Sequence, residues 1–279
     1  MLTNLEKMLR LAQMGRFSVG SFNVYNYETI KGVLAGAERK RVPVIVAFGA
    51  GYLPNMDLEE VVALVSYRAE KMDLPVALHL DHCRNPEIIK KAAICGFTSV
   101  MYDGSSLPFD ENLKNTAEIV AFAHTLNVSV EAELGSLALG AYSNEGEVGS
   151  AEQYTDPRSA HDFCERTGID ALAVSIGTVH GMYKGEPNIR VDILKKIRRE
   201  TAVPLVLHGG SGTPEAILRE CIANGICKIN VNTEISKHAV DRIARAVEKD
   251  PDIHLSKVSL KTIEAVEEVV EKYIALFSR

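Results

Sequence analysis

Eight short apolar runs, each followed by a stretch of helical periodicity, limit what this chain can fold into. Residues 17–24, 43–48, 76–80, 98–101, 128–133, 171–174, 205–207 and 226–229 read as strands. Helical spacing follows each of them, at 27–41, 57–71, 86–95, 110–125, 157–167, 191–199, 214–223 and 233–248, with Asp57 placed to cap the second helix. Strands that are apolar throughout argue for a parallel sheet covered on both faces. Eight such βα units within about 250 residues argue for closure into a barrel rather than an open doubly wound sheet. The expectation is an α/β chain of 279 residues forming one (β/α)8 TIM-barrel domain over 1–279, with a C-terminal helical extension at 260–276.

Composition narrows the partners. Lys and Arg number 31 against 37 Asp and Glu, a net charge of −6, which argues against nucleic acid or an anionic membrane as partner. Five cysteines (Cys83, Cys95, Cys164, Cys221 and Cys227) are odd in number and lack CxxC spacing. They point to reduced thiols in the cytoplasm rather than a disulfide framework. The first residues carry no apolar leader, and no apolar run reaches the length of a membrane span.

The third strand ends abnormally for buried apolar structure, at Leu78-His79-Leu80-Asp81-His82. Two later strand exits also finish in histidine, at Ser175-Ile-Gly-Thr-Val-His180 and Pro204-Leu-Val-Leu-His208. His180 and His208 are 28 residues apart and His82 and His180 are 98 apart, close to one and three βα units. The three histidines therefore fall at the carboxyl ends of strands three, six and seven, the face where barrel enzymes keep their sites. A lone histidine is more often a structural residue; three in register fit a metal with an open position, Zn2+ foremost, polarising a carbonyl or activating a water. Asp81 reads either as support for a ligand or a helix cap, or as a general acid/base over a bound substrate. Spacing alone leaves both open. His79 reads as barrel packing, and His124, His161, His238 and His254 as surface or capping residues.

Glycine supplies a second signal. His208-Gly209-Gly210-Ser211-Gly212 follows strand seven, and Asn230-Val-Asn232-Thr233 leads from strand eight into a helix. Such loops let backbone N–H groups approach an oxyanion, and barrels often hold a phosphate there. Gly177 and Gly181 flank His180 and extend the same cradle.

Five ordered motifs carry a family resemblance: Leu-His-Leu-Asp-His (78–82), Glu-Ala-Glu-Leu-Gly (131–135), His-Gly-Met-Tyr-Lys-Gly-Glu-Pro (180–187), His-Gly-Gly-Ser-Gly (208–212) and Ile-Asn-Val-Asn-Thr-Glu (229–234). Together, with Ser21-Phe-Asn23, they resemble the class II, zinc-dependent ketose-bisphosphate aldolases, which include fructose- and tagatose-1,6-bisphosphate aldolases. The resemblance implies His82, His180 and His208 as zinc ligands, Glu133 as an alternate ligand and Asp81 as the acid/base at the C4 hydroxyl. It implies Asn23, Gly181, Gly209, Gly210, Ser211, Asn230, Asn232 and Thr233 around dihydroxyacetone phosphate (DHAP), with a monovalent cation, Na+ or K+, nearby. The implied reaction is reversible cleavage of a ketose (bis)phosphate to DHAP and an aldehyde through a metal-stabilised enediolate, in a homodimer or homotetramer. A second acid/base is expected from the loop after strand five, where Glu145 and Glu147 are the candidates.

Two departures bear on the aldehyde. Familiar members carry a serine after strand two that helps bind the far phosphate, where this chain has Phe48-Gly49-Ala50. Several carry a basic residue three positions after Thr233, where this chain has Ser236 followed by Lys237. A phosphate dianion needs charge-assisted partners, so the expected acceptor differs from glyceraldehyde 3-phosphate or binds differently. The competing readings are an ordinary fructose- or tagatose-bisphosphate aldolase, a zinc hydrolase, and a non-catalytic subunit of an aldolase complex.

Overall fold

The computed structural model describes residues 2–143 and 153–278. In chain order the principal elements are α1 (Leu5–Gly15), β1 (Val19–Asn23), α2 (Tyr27–Lys40), β2 (Val44–Gly49), α3 (Leu58–Ala69), β3 (Val76–Cys83), α4 (Pro86–Cys95), β4 (Ser99–Tyr102), α5 (Phe109–Thr125), β5 (Ser129–Leu134), α6 (Pro157–Thr167), β6 (Ala171–Val174), α7 (Val191–Glu200), β7 (Leu205–Leu207), α8 (Glu215–Ala223), β8 (Ile226–Val231), α9 (Thr233–Lys249) and α10 (Leu255–Phe277). The eight strands pair in parallel and in sequence, and β8 returns to β1, so the sheet closes into a TIM barrel. Asp57 caps α3 as expected, its backbone N–H donating to Glu60 Oε2 at 2.9 Å.

Two hydrophobic clusters explain the closure. Outward-facing residues such as Phe22, Val46, Leu78, Leu80, Val100 and Leu172 pack under the helices. Inside the barrel floor, Val19, Ile45, Ala77, Ala171, Ala173, Val206 and Cys227 come from the starts of strands and pack against Leu5, Met8, Leu9 and Ala12 of α1. Helix α1 was not among the expected elements. It plugs the barrel's amino-terminal mouth, capped by Asn4, whose side chain accepts the Glu6 N–H.

Helix α10 also begins earlier than its apolar spacing suggests, at Leu255, because His254 caps it by accepting from Ser256 N–H. It lies close against α2. A Cβ on Gly32 would meet Val266 at 2.6 Å, and one on Gly36 would meet Val270 at 2.8 Å. The extension therefore covers the barrel wall.

Candidate active site and metal centre

Strand β3 runs past Leu80 to Cys83, and its pairing with β4 slips between those two residues. His82 sits in the slip with a left-handed φ of 43°, a conformation that costs a non-glycine residue of order 1–3 kcal/mol. In a regular strand, neighbours point to opposite faces. The irregularity lets Asp81 and His82, adjacent in sequence, both serve the barrel mouth.

His180 reaches the same place by another route. It does not end β6, which stops at Val174, but lies on a two-residue strand, Val179–His180, paired with Ala138–Leu139 outside the barrel. Gly181 follows at φ 106°, and a Cβ there would meet the Ala141 carbonyl oxygen at 2.6 Å. His208 leaves β7 directly, and Gly209 beside it packs so closely on Val179 that a Cβ would meet its carbonyl oxygen at 2.3 Å.

The result is a cluster of three imidazoles whose candidate ligand atoms lie within 4.8 Å of one another. The His82 ring is 4.9 Å from that of His180 and 4.6 Å from that of His208. His82 Nδ1 faces Asp103 Oδ2 at 3.4 Å, leaving Nε2 buried without a hydrogen-bond partner. His208 is held the opposite way, with Nε2 2.9 Å from Glu131 Oε1 and Nδ1 unpartnered. Glu133 Oε2 lies 3.4 Å from that Nδ1, and Glu133 also forms a second grouping with His82 and Asp103. Buried, unpartnered ring nitrogens with their opposite nitrogens tied to carboxylates fit a divalent cation of the zinc type.

The charge distribution agrees. Burial disfavours a charged His82, but the carboxylates of Asp81, Asp103 and Glu133 outweigh it and hold its pKa well above the usual imidazole range. Burial likewise opposes charge on His208, and Glu131 and Glu133 raise its pKa. Asp81 is fully buried, yet His82, Lys228 and His79 hold its carboxyl well below the usual range. It accepts from Asn23 Nδ2 at 2.9 Å and Asn230 Nδ2 at 3.2 Å. Both asparagines leave a buried side-chain oxygen without a partner, a pair of acceptors beside the acid.

The glycine loops gather at a second locus. Ser211 Oγ accepts from Glu234 N–H at 3.2 Å in the first turn of α9. Asn232 precedes that helix without capping it and donates instead to Tyr52 Oη at 2.8 Å. Gly210 N–H donates to the Asn230 carbonyl at 2.9 Å. A cavity of about 640 Å3 runs from the start of α9 to His82, its lining including Tyr25, Gly49, Tyr52, His82, Asp103, Asn232, Thr233 and Ser236. Arg84 also lines it, 3.5 Å from Asp103, and Lys237 lies between Asp241, at 3.6 Å, and the lining Tyr142 ring, 5.1 Å from its centroid.

Asp81, His82, His180, His208, Glu133, Asn23 and Asn230 thus come together, with Gly209, Gly210, Ser211, Asn232 and Thr233 at the neighbouring helix start. Glu145 and Glu147 lie outside the described residues. Sequence reasoning missed Asp103, Glu131 and Lys228. The last two share the inward face of their strands with Glu133 and Asn230, and polar residues at period two inside an apolar barrel are the signal that finds them. His79 is fully buried, its Nδ1 2.6 Å from Ser99 Oγ.

The model of the fructose-bisphosphate aldolase class-II family matches residues 3–279. A fructose-bisphosphate aldolase of Geobacillus stearothermophilus is 41% identical over 256 residues, covering 91% of this chain and 88% of the relative. YdjI of Escherichia coli K12, described as an uncharacterized protein, is 40% identical over 261 residues, covering 94% and 92%. The crystal structure described as the YdjI aldolase superposes with a TM-score of 0.88 at 37% identity, over 99% of this chain and 97% of that one. Among the described residues, no helix is long and apolar enough to cross a membrane.

Proposed function

The chain belongs to the class II fructose-bisphosphate aldolase family, and from that premise we propose a substrate and roles for its residues. It is a class II aldolase, a lyase; zinc-dependent aldol cleavage is the mechanism of its family. Our reading is that it splits a ketose phosphate into DHAP and an aldehyde other than the usual glyceraldehyde 3-phosphate. The observation that carries the catalytic assignment is the buried Asp81 carboxylate beside three converging imidazoles.

His82, His180 and His208 would hold zinc, with Glu133 as the alternate ligand. Zinc bound there supplies Lewis acidity to the substrate's ketone and stabilises charge on the adjacent carbon. Asp81 takes the C4 hydroxyl proton as the C3–C4 bond breaks. The amides of Asn23 and Asn230 aim that carboxylate, and their free oxygens suit substrate hydroxyls. Backbone N–H groups at Gly181 and Gly209, the Ser211 hydroxyl and the start of α9 at Thr233 suit the DHAP phosphate, with Gly210 giving the close turn between them. A monovalent cation, Na+ or K+, beside that phosphate is part of the same reading. The second acid/base is assigned to the 136–149 loop, and solvent-deuterium exchange into DHAP in Glu145→Gln and Glu147→Gln variants tests each.

The altered aldehyde is supported by Gly49, Ala50 and Ser236 on the cavity wall. None is a cation, Gly49 and Ala50 lack a side-chain donor for a far phosphate, and the cation on that wall, Arg84, faces Asp103 at 3.5 Å. The test is cleavage by zinc-loaded protein of fructose, tagatose and sorbose 1,6-bisphosphates and the matching 1-phosphates. Preference for fructose 1,6-bisphosphate at ordinary efficiency would sink the altered acceptor and leave an ordinary aldolase. Free thiols at all five cysteines support a reducing, cytoplasmic setting. Exposed Val240, Val247, Leu255 and Leu260 support self-association, which light scattering would read as dimer or tetramer.

A further inference from the structure

We infer that Lys228 and Glu131 are positioning residues that determine which ring nitrogen His208 offers to the metal. This rests on the reading of His208 as a ligand. Lys228 is the one fully buried lysine among the described residues. Its ammonium lies 3.0 Å from Glu131 Oε1 and 2.9 Å from Oε2. Desolvation of two interior charges offsets most of their attraction, so such a pair is a poor device for stability alone. Its geometry points elsewhere, because the Oε1 atom gripped by Lys228 is also 2.9 Å from His208 Nε2.

A carboxylate ionised by a bidentate contact with an ammonium can only accept hydrogen bonds. His208 Nε2 must then carry the proton, and Nδ1 keeps its lone pair. Nδ1 is buried without a hydrogen bond, with the Glu133 carboxylate, the alternate ligand, 3.4 Å away on the metal side. His82 is set the other way, Asp103 taking Nδ1 and leaving Nε2. Two ligands thus present different ring atoms, and for His208 the choice traces back through Glu131 to Lys228 on β8. The carboxylate that orients His208 is itself held by the Lys228 ammonium, so Glu131 cannot swing away from Nε2 without breaking that contact.

The first test uses the wild-type protein. In metal-free, 15N-histidine-labelled protein at a pH where His208 is neutral, long-range proton–nitrogen spectra should show the Nε2–H tautomer. The Nδ1–H tautomer would overturn the inference, whether or not zinc binds. Zinc affinity is then measured by chelator competition, with thermal stability, in Lys228→Met, Glu131→Gln and the double variant. Each should bind zinc about 10–100-fold more weakly than wild type. The double variant, free of an uncompensated charge, should regain stability but not affinity, since glutamine can accept or donate at Nε2. Affinity returning together with stability would mean a structural ion pair only and overturns the inference. Where a single variant fails to fold, the double variant and the wild-type tautomer decide. Wild-type protein that takes up no zinc would instead sink the ligand assignment, leaving the tautomer result to stand separately.

Discussion

His82 Nδ1 lies 3.4 Å from Asp103 Oδ2, and the ring meets those of His180 and His208 edge to face. A carboxylate at the exit of β4, outside every motif, thereby orients the first ligand. Asp103→Asn keeps the shape but removes the charge. Zinc affinity should fall about 10-fold or more, and the His82 pKa should drop toward its ordinary range. Chelator competition and histidine NMR titration read the two effects; unchanged affinity would remove Asp103 from the metal centre.

Asp81→Asn should separate binding from chemistry. Asparagine fits the space but cannot take a proton, so kcat should fall about 100- to 10,000-fold. Zinc content should stay at the wild-type level, because no ligand nitrogen is touched. Loss of zinc along with activity would return Asp81 to a supporting role.

Gly49→Ser should move the acceptor preference toward a bisphosphate. The new Cβ would meet the Tyr52 ring at 3.1 Å, a contact the ring must relieve by a few tenths of an ångström. A hydroxyl to a charged phosphate contributes about 1.5–3 kcal/mol, about 10- to 100-fold in kcat/KM for a 1,6-bisphosphate over the matching 1-phosphate. An unchanged ratio would mean that Gly49 does not face the acceptor's far end.

His79 should make the fold acid-sensitive. Burial, aided by Lys228, lowers its pKa to about 4, below the ordinary value near 6.5. The unfolded chain therefore takes up a proton as pH falls through about 6.5, while the folded chain stays neutral until about 4. Stability from this residue is complete above that window and is lost as pH falls through it, by about 3 kcal/mol in all. Denaturant unfolding of wild type and His79→Gln at pH 7 and 4.5 should show a smaller loss in the variant. Equal losses would reject the assignment.

The barrel is legible in the sequence because parallel strands buried on both faces have little choice but to be apolar, and Gly, Pro and Asp mark their ends. The histidines are legible because His208 and His82 leave strands whose register the βα repeat sets. His180 is only approximately so: the six residues after Val174 form a ribbon that no repeat predicts. Helix α1 carries its own signals in Asn4, Leu5, Met8, Leu9 and Ala12, but it precedes the first strand and so falls outside the repeat. Asp103 and Lys228 gave no motif. Lys228 acquires meaning from Glu131, 97 residues away and adjacent only once the barrel closes, and Asp103 from His82, 21 residues away, once β3 and β4 pair.

Closure also has an order in time. Ser18 N–H donates to the Phe277 carbonyl at 3.2 Å, β1 finds its second neighbour only in β8, and the glycine seam of α2 is filled by Val266 and Val270. During synthesis the first βα unit to emerge is thus the last to be completed. The growing chain carries an open strand edge until β8 arrives and a bare α2 face until α10 does. Contacts of such separation are slow to form, and an unpaired strand edge invites association with other chains. Truncation within α10 ahead of Val266 would therefore leave a closed barrel with the glycine seam of α2 bare.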